Sequence, residues 1–364
     1  MPHDKEFRWP CDQCGAQLRF APGQTRLICA HCGHAQEIPA AATEDFDRAL
    51  VEHDLRKGLQ DDLAPKEMEV VRSSRCPNCG ALIELIGPQH ATECPFCATP
   101  VVTGSDQTRQ IKPQALIPFK ISEAEGKANL TKWLGSLWFA PNKLLEYTRK
   151  GRRMNGVYVP YWTFDAETRS RYSGMRGDAY YETRTVIVNG ERRQQQERKI
   201  RWTPVRGNVE RDFDDVLILG STSLPKRYAD ALTPWHLQDL VPYSPDYLAG
   251  FTAEGYTVPL AAASDESKAR MAQVIAQDIR EDIGGDEQRI QSVDTLYAGE
   301  TFKHILLPVW MAAYKYNGKS YRFLVNGQTG EVQGERPYSA WKIFFAVLTV
   351  VVLVGAYFAL AEMR

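Results

Sequence analysis

No surplus of charge marks this chain: 44 Lys and Arg stand against 45 Asp and Glu, a net charge of −1. A chain so balanced has no general attraction for nucleic acid. The common catalytic signatures are missing as well, since neither HExxH nor GxSxG occurs. The only Gly-Lys-Ser, Gly318-Lys319-Ser320, has Ala313 where a phosphate-cradling loop needs its first glycine. No Walker B box follows an apolar strand, and no secretory signal opens the chain. No cysteine lies outside two copies of one pattern, so none is spare to act as a nucleophile.

Those two copies are the firmest chemistry present. Cys11, Cys14, Cys29 and Cys32 form one, and Cys76, Cys79, Cys94 and Cys97 the other. Each reads C-x2-C, fourteen residues, C-x2-C. A C-x2-C turn offers two sulfurs to one ion and a second turn completes a tetrahedron, so the spacing predicts two four-thiolate Zn2+ sites. Gly15, Gly33 and Gly80 follow the second Cys of three knuckles, where a tight turn needs positive φ. Short β stretches between the knuckles predict zinc ribbons, which fold on the energy of the metal. Four disulfides are the disfavoured alternative for a reduced compartment. His31 and His34 flank Cys32 as substitute ligands, with an exposed or sulfur-contacting role favoured. Four sulfurs close each site, leaving no position for water; such sites are structural.

Charge is unevenly spread. Residues 1–110 hold eleven Lys/Arg and sixteen Asp/Glu, so the ribbon region repels phosphate, whereas 149–211 hold fifteen and seven. The run Glu191 to Lys199 is read as a solvated hairpin tip, with anionic headgroups or an acidic partner as the sharper alternative. Residues Ile343 to Ala361 contain no charge. At ~1.5 Å per residue they span roughly 28 Å, which predicts a membrane helix with the N-terminal body on the cytoplasmic side.

The expected fold class is α+β: two small zinc ribbons, a mixed helix and antiparallel-sheet body with an internal duplication, and one C-terminal transmembrane helix. The expected divisions are ribbon 1 at 1–42, a helical linker at 43–72, ribbon 2 at 73–104, α+β modules at 114–250 and 251–338, and the membrane helix at 341–361. Thr43 to Leu59 reads as a polar helix and 101–113 as a linker. In the body, Ser122 and Glu125 suggest a capping box, and a second helix stops at Gly284-Gly285. Pro118, Glu125, Lys127 and Ala128 match Pro259, Glu266, Lys268 and Ala269 at an offset of 141, and Pro160 and Trp162 match Pro308 and Trp310 at 148. Asn317-Gly318 signals a hairpin turn. Asp214-Asp215 reads as a turn or cap and not as a catalytic pair, because strand neighbours face opposite ways.

Taken together, the paired knuckles, the P-Y-W and L-P-V-W strands, Phe213-Asp-Asp-Val-Leu, the segment Leu240 to Phe251 and Val325-Asn-Gly-Gln-Thr-Gly-Glu-Val332 resemble a bacterial family of double zinc-ribbon, C-terminally membrane-anchored proteins. Its members are often labelled primosomal helicase-like or TFIIB-type zinc-ribbon proteins. The resemblance implies a partnership with SPFH-type membrane scaffolds. The missing phosphate loop speaks against the helicase label. The leading expectation is a non-enzymatic, tail-anchored adaptor at the inner membrane, with the bilayer and a membrane-associated protein as partners. A nucleic-acid-binding ribbon protein and a zinc-thiolate redox sensor are the alternatives.

Overall fold

The computed structural model describes residues 9–39, 51–84, 91–97, 99–102, 107–138, 153–188, 191–316, 319–335 and 340–362. Ribbon 1 is a three-stranded antiparallel sheet of β1 (Leu18–Phe20), β2 (Arg26–Cys29) and β3 (Ala35–Glu37). A strap follows, made of β4 (His53–Asp54) and the one-turn helix α1 (Leu55–Leu59), which Asp54 caps by accepting from Lys57 N at 3.0 Å. Ribbon 2 holds β5 (Met68–Arg75), β6 (Leu82–Glu84), β7 (Ala91–Glu93), β8 (Pro100–Val102) and β9 (Gln107–Ile111). Its β5 pairs with β6 at one end and with β9 along the rest.

The body continues with β10 (Ala115–Leu116) and α2 (Glu123–Ser136). Ser122 caps α2: Glu125 N donates to Ser122 Oγ at 3.3 Å, and Ser122 N donates to Glu125 Oε2 at 2.8 Å. Then come β11 (Asn155–Val188), β12 (Glu191–Leu219), α3 (Lys226–Asp230), β13 (Val241–Pro242), β14 (Thr252–Ala253) and α4 (Leu260–Ile283). The chain closes with β15 (Glu287–Tyr316), β16 (Lys319–Asn326), β17 (Val332–Gly334) and α5 (Ala340–Glu362).

The frame of the molecule is a nine-stranded sheet in which β11 and β15 lie antiparallel side by side. Their alternation sorts the core into two faces. Tyr158, Trp162, Phe302, Leu306 and Trp310 point to one, under α1, α2, α4 and ribbon 1. Val157, Val159, Tyr161, Ile305, Leu307 and Val309 point to the other, under ribbon 2 and the segment around Leu224, Leu232 and Leu240.

A pseudo-two-fold runs through this pair of strands. Val159 pairs with Leu307, a residue 148 further on, as a dyad between equivalent strands requires. The hydrogen bonds repeat across it. Trp162 Nε1 donates to Val258 O at 3.1 Å, and Trp310 Nε1 donates to Ile121 O at 2.7 Å. Gly220 N donates to Pro160 O, and Gly327 N to Pro308 O. Short parallel strands flank both, with β14 beside Val157-Tyr158 and β10 beside Ile305-Leu306. In this frame Ile121 matches Val258 and the N-caps match as Ser122 and Pro259. The helices are therefore offset by 137, one helical turn from the 141 read from Pro118 and Pro259.

Beyond the core, β11, β12 and the start of β15 continue as an arm. A 34-residue strand spans roughly 110 Å at ~3.3 Å per residue. One face of the arm's base packs Tyr172, Val205, Val209 and Ile290 against Ile275, Ile279 and Ile283 of α4. At Gly284 and Gly285, both at positive φ, the chain leaves the helix for β15. Past Gly177 only β11 and β12 remain paired, down to Val188 with Glu191. The run 191–199 is thus a strand of the arm and not its tip, because pairing continues right through it.

Several expectations change. The body is one large mixed sheet, with parallel pairs at β10 and β14 in place of the expected antiparallel sheet, and the ribbons cover its two faces. Residues 107–111 of the presumed linker are a strand, paired with β5. His53 lies in a strand and only Leu55–Leu59 is helical, while 43–50 and the Asn317-Gly318 turn lie outside the described residues. Among the described residues, no helix is long and apolar enough to cross a membrane. The transmembrane helix at 341–361, the tail anchor and the single-pass inner-membrane placement are corrected accordingly.

Candidate metal centres

Each ribbon brings its four cysteines together through two matching turns. Cys11 N donates to Ala16 O at 2.7 Å and Gly15 N to Cys11 O at 2.8 Å. The same pair of bonds closes the turns at Cys29 and Cys76, and Cys94 N donates to Thr99 O at 2.9 Å. Gly15, Gly33 and Gly80 adopt φ of 71°, 75° and 75°, a region that favours glycine. Ala98, at the fourth turn, lies outside the described residues.

The sulfurs converge without bonding. Cys11 and Cys32 Sγ lie 3.6 Å apart, as do Cys14 and Cys29, Cys76 and Cys97, and Cys79 and Cys94. All eight cysteines are free, so the four-disulfide alternative does not describe this chain. A tetrahedral ion bound at about 2.3 Å requires sulfur edges of about 3.8 Å. Each set therefore fits one ion, and the two four-cysteine groups could each hold a metal. The Cys32 backbone N–H, opposed by burial and helped by the N–H of His31, pulls the Cys29 thiol down to about 6, while Cys14 and Cys32 in the same set are raised. His31 and His34 stand outside both sulfur groups; the His34 carbonyl accepts from Cys29 N instead.

The two centres differ in setting. Cys14 and Cys32 are exposed, whereas no cysteine of ribbon 2 is fully exposed. Ribbon 1 docks through its β1 edge: Phe20 N donates to Ala249 O at 2.9 Å, and the Phe20 ring meets Tyr247 edge-on at 5.2 Å. Trp9 Nε1 donates to Asp246 Oδ1 at 2.8 Å. Ribbon 2 instead buries Phe96, the middle residue of a knuckle, completely in the core it shares with Val157, Val159 and Leu307.

A third group, Glu52, Asp165 and Asp214, also has ligand-like spacing. A buried lysine answers Glu52, one member of this group, and the neighbouring Asp215. Lys303, 7% exposed, reaches Glu52 Oε1 and Asp215 Oδ1 at 2.9 Å each. Burial works against that ammonium, but Glu52 and Asp215 hold it above its ordinary range. Burial, opposed by the Asp215 N–H and reinforced by Glu52, pushes the Asp165 carboxyl up to about 7. Asp215 holds φ +54 beside the bulge at Phe164/Ala166, so the Asp214-Asp215 turn anchors a buried lysine. Sequence reading missed this lysine because its partners come from residues 52, 165 and 215.

No family model and no solved structure matches the chain. Over 340 residues it is 24% identical to the uncharacterized protein YdjG of Bacillus subtilis (strain 168), covering 92% of this chain and 91% of that protein.

Proposed function

We propose that the protein is a zinc-stabilised, non-enzymatic adaptor that presents its β-arm to an acidic protein partner. The arm carries this reading. Between residues 169 and 211 it holds eleven Lys/Arg and five Asp/Glu. Among its described acids, Asp178, Glu182 and Glu210 are already paired with Arg176, Lys199 and Arg169. Arg184, Arg192 and Arg198 are exposed. Zinc is the ion proposed for Cys11, Cys14, Cys29 and Cys32 and for Cys76, Cys79, Cys94 and Cys97, because four thiolates at tetrahedral edges suit it and leave no open position. With the ribbons docked on the sheet, the metal holds the frame and the arm meets the partner. The family resemblance makes an SPFH-type scaffold the first partner to test.

Metal analysis of the full chain should find two zinc ions. Cross-linking in cells should capture a protein with the native arm and lose it on Arg192→Glu/Arg198→Glu/Lys199→Glu; the same capture with both arms overturns the reading. The basic surplus also supports nucleic-acid binding as a second reading. Retention of the chain on duplex DNA at low salt, lost steeply as salt rises, would favour it. A redox-sensor reading requires mild peroxide to release zinc from ribbon 1, whose Cys14 and Cys32 are exposed.

A further inference from the structure

Glu254 occupies a position where the other half of the fold places an apolar residue. Its mate across the pseudo-two-fold is Ile117. Glu254 N donates to Tyr158 O at 3.0 Å, and Ile117 N donates to Leu306 O, the equivalent acceptor, at 3.1 Å. Both side chains are buried, at 1% and 0% exposure. Burying a carboxyl group carries a desolvation penalty that Ile117 avoids, and the backbone geometry is the same. The carboxyl is only half answered. Oε1 accepts from Ser221 Oγ at 2.9 Å and from Ser223 Oγ, while Oε2 has no hydrogen-bond partner among the described residues.

The site is also the seam with ribbon 2. Glu254 forms a β-bridge with Ile83, and Gly255 N donates to Leu82 O at 2.9 Å. The Gln110 side chain lies so close to Gly255 that a Cβ there would sit 2.5 Å from its Nε2. From ribbon 2, Glu84 faces the same seam, with Glu69 and, next to that, Lys112. From the body, Tyr161 faces Glu254, with Asp230 and Arg270 behind it, and Tyr243 faces Glu84 and Glu69.

We infer that Glu254 is a proton-operated latch that seats ribbon 2 on the central sheet. Protonated, it packs as Ile117 does. Ionised, it places an unanswered charge in a seam already lined by Glu84 and Glu69, and ribbon 2 loosens, uncovering Cys76 and Cys94. Burial, opposed by the two serine hydroxyls, pushes Glu254 up to about 8; burial and the charges of Glu69 and Glu254 push Glu84 up to about 8. A carboxyl raised in this way contributes seating fully below its ordinary value of 4.5 and loses it as pH rises through about 8.

Pulsed N-ethylmaleimide labelling of the full zinc-loaded chain, read at all eight cysteines by mass spectrometry, tests the latch. Ribbon 1 in the same tube is the internal reference for the intrinsic effect of pH. From pH 6.5 to 9 the ratio of ribbon 2 to ribbon 1 labelling should rise at least tenfold in the native chain and stay flat in Glu254→Gln. Glu254→Ile, which copies the mate, should also be flat, and it preserves the test should the amide fail to fold. A ratio that ignores pH in the native chain, or rises equally in both variants, overturns the latch. Flattening by Glu84→Gln but not by Glu254→Gln also overturns it. Absence of zinc would speed labelling of both ribbons without supplying this pH-dependent ratio, so it is distinguishable from failure of the latch.

Discussion

Ribbon 1 and ribbon 2 have one cysteine spacing and one sulfur geometry, yet they are built into the fold to different depths. Ribbon 1 rests on the sheet by an edge and leaves Cys14 and Cys32 exposed. Ribbon 2 sinks Cys94 and Phe96 to 0% exposure in a core of strand residues from β11 and β15. Both ribbons bury two ligands and a phenylalanine, Cys11, Cys29 and Phe20 against one face and Cys76, Cys94 and Phe96 against the other, but only ribbon 1 leaves its remaining two ligands exposed.

The largest test removes one ligand from each. Structural zinc contributes on the order of 10 kcal/mol of apparent binding energy at neutral pH. Cys94→Ser should lose one zinc and the cooperative thermal transition of the whole chain. Cys14→Ser should lose one zinc but keep a cooperative transition for the body. Circular dichroism melts with metal analysis decide, and equal collapse of both would break the comparison. Next in size is packing. Phe96→Ala leaves a cavity in the shared core and should cost about 3–5 kcal/mol in denaturant unfolding. Phe20→Leu keeps most apolar volume and loses ring contacts with Tyr247 and Phe251, for about 1–1.5 kcal/mol.

The two faces should also respond to opposite ends of the pH scale. His304 lies on the face of Trp162, with Nδ1 bonded to Ile111 O at 2.8 Å and Nε2 unpartnered among the described residues. Burial, opposed by that backbone bond, lowers it to about 4. A histidine held neutral in this way contributes stability that is present above its ordinary value of 6.5 and lost as pH falls towards 4. The native chain should lose about 2 kcal/mol more than His304→Gln between pH 7 and pH 4.5. Parallel acid curves would remove His304 as the cause. Acid thus acts where His304 meets the end of β9 beside Trp162, and base on the seam at Glu254.

The sequence disclosed what is local. Cysteine spacing shows the sulfur sets, because a knuckle is a single turn; Ser122 and Glu125 show a cap three residues wide. The P-x-W strands were legible because both tryptophans use the same hydrogen bond. The helices were mismatched by four residues because an amphipathic helix repeats about every turn, so a shift of four looks alike. Docking of the ribbons, the pairing of β5 with 107–111 and the Lys303 cluster were not legible, since their partners lie far apart in the chain. The uncharged run Ile343 to Ala361 is long enough on paper to span, yet among the described residues no helix is long and apolar enough to cross a membrane.

The smallest expected effect lies on the arm, away from both ribbons. Arg169 and Glu210 face each other across β11 and β12 at 3.4 Å, with side chains 76% and 67% exposed. Water screens such a pair, and holding two long side chains in place costs entropy that offsets the attraction. Arg169→Ala should change unfolding free energy by less than about 0.5 kcal/mol, with no shift in zinc content or in labelling of either ribbon. A larger loss would mean that the arm communicates with the core through its surface charges. Little change would leave those charges available for a partner, and it would confine the structural stakes of the fold to the sheet and its two covers.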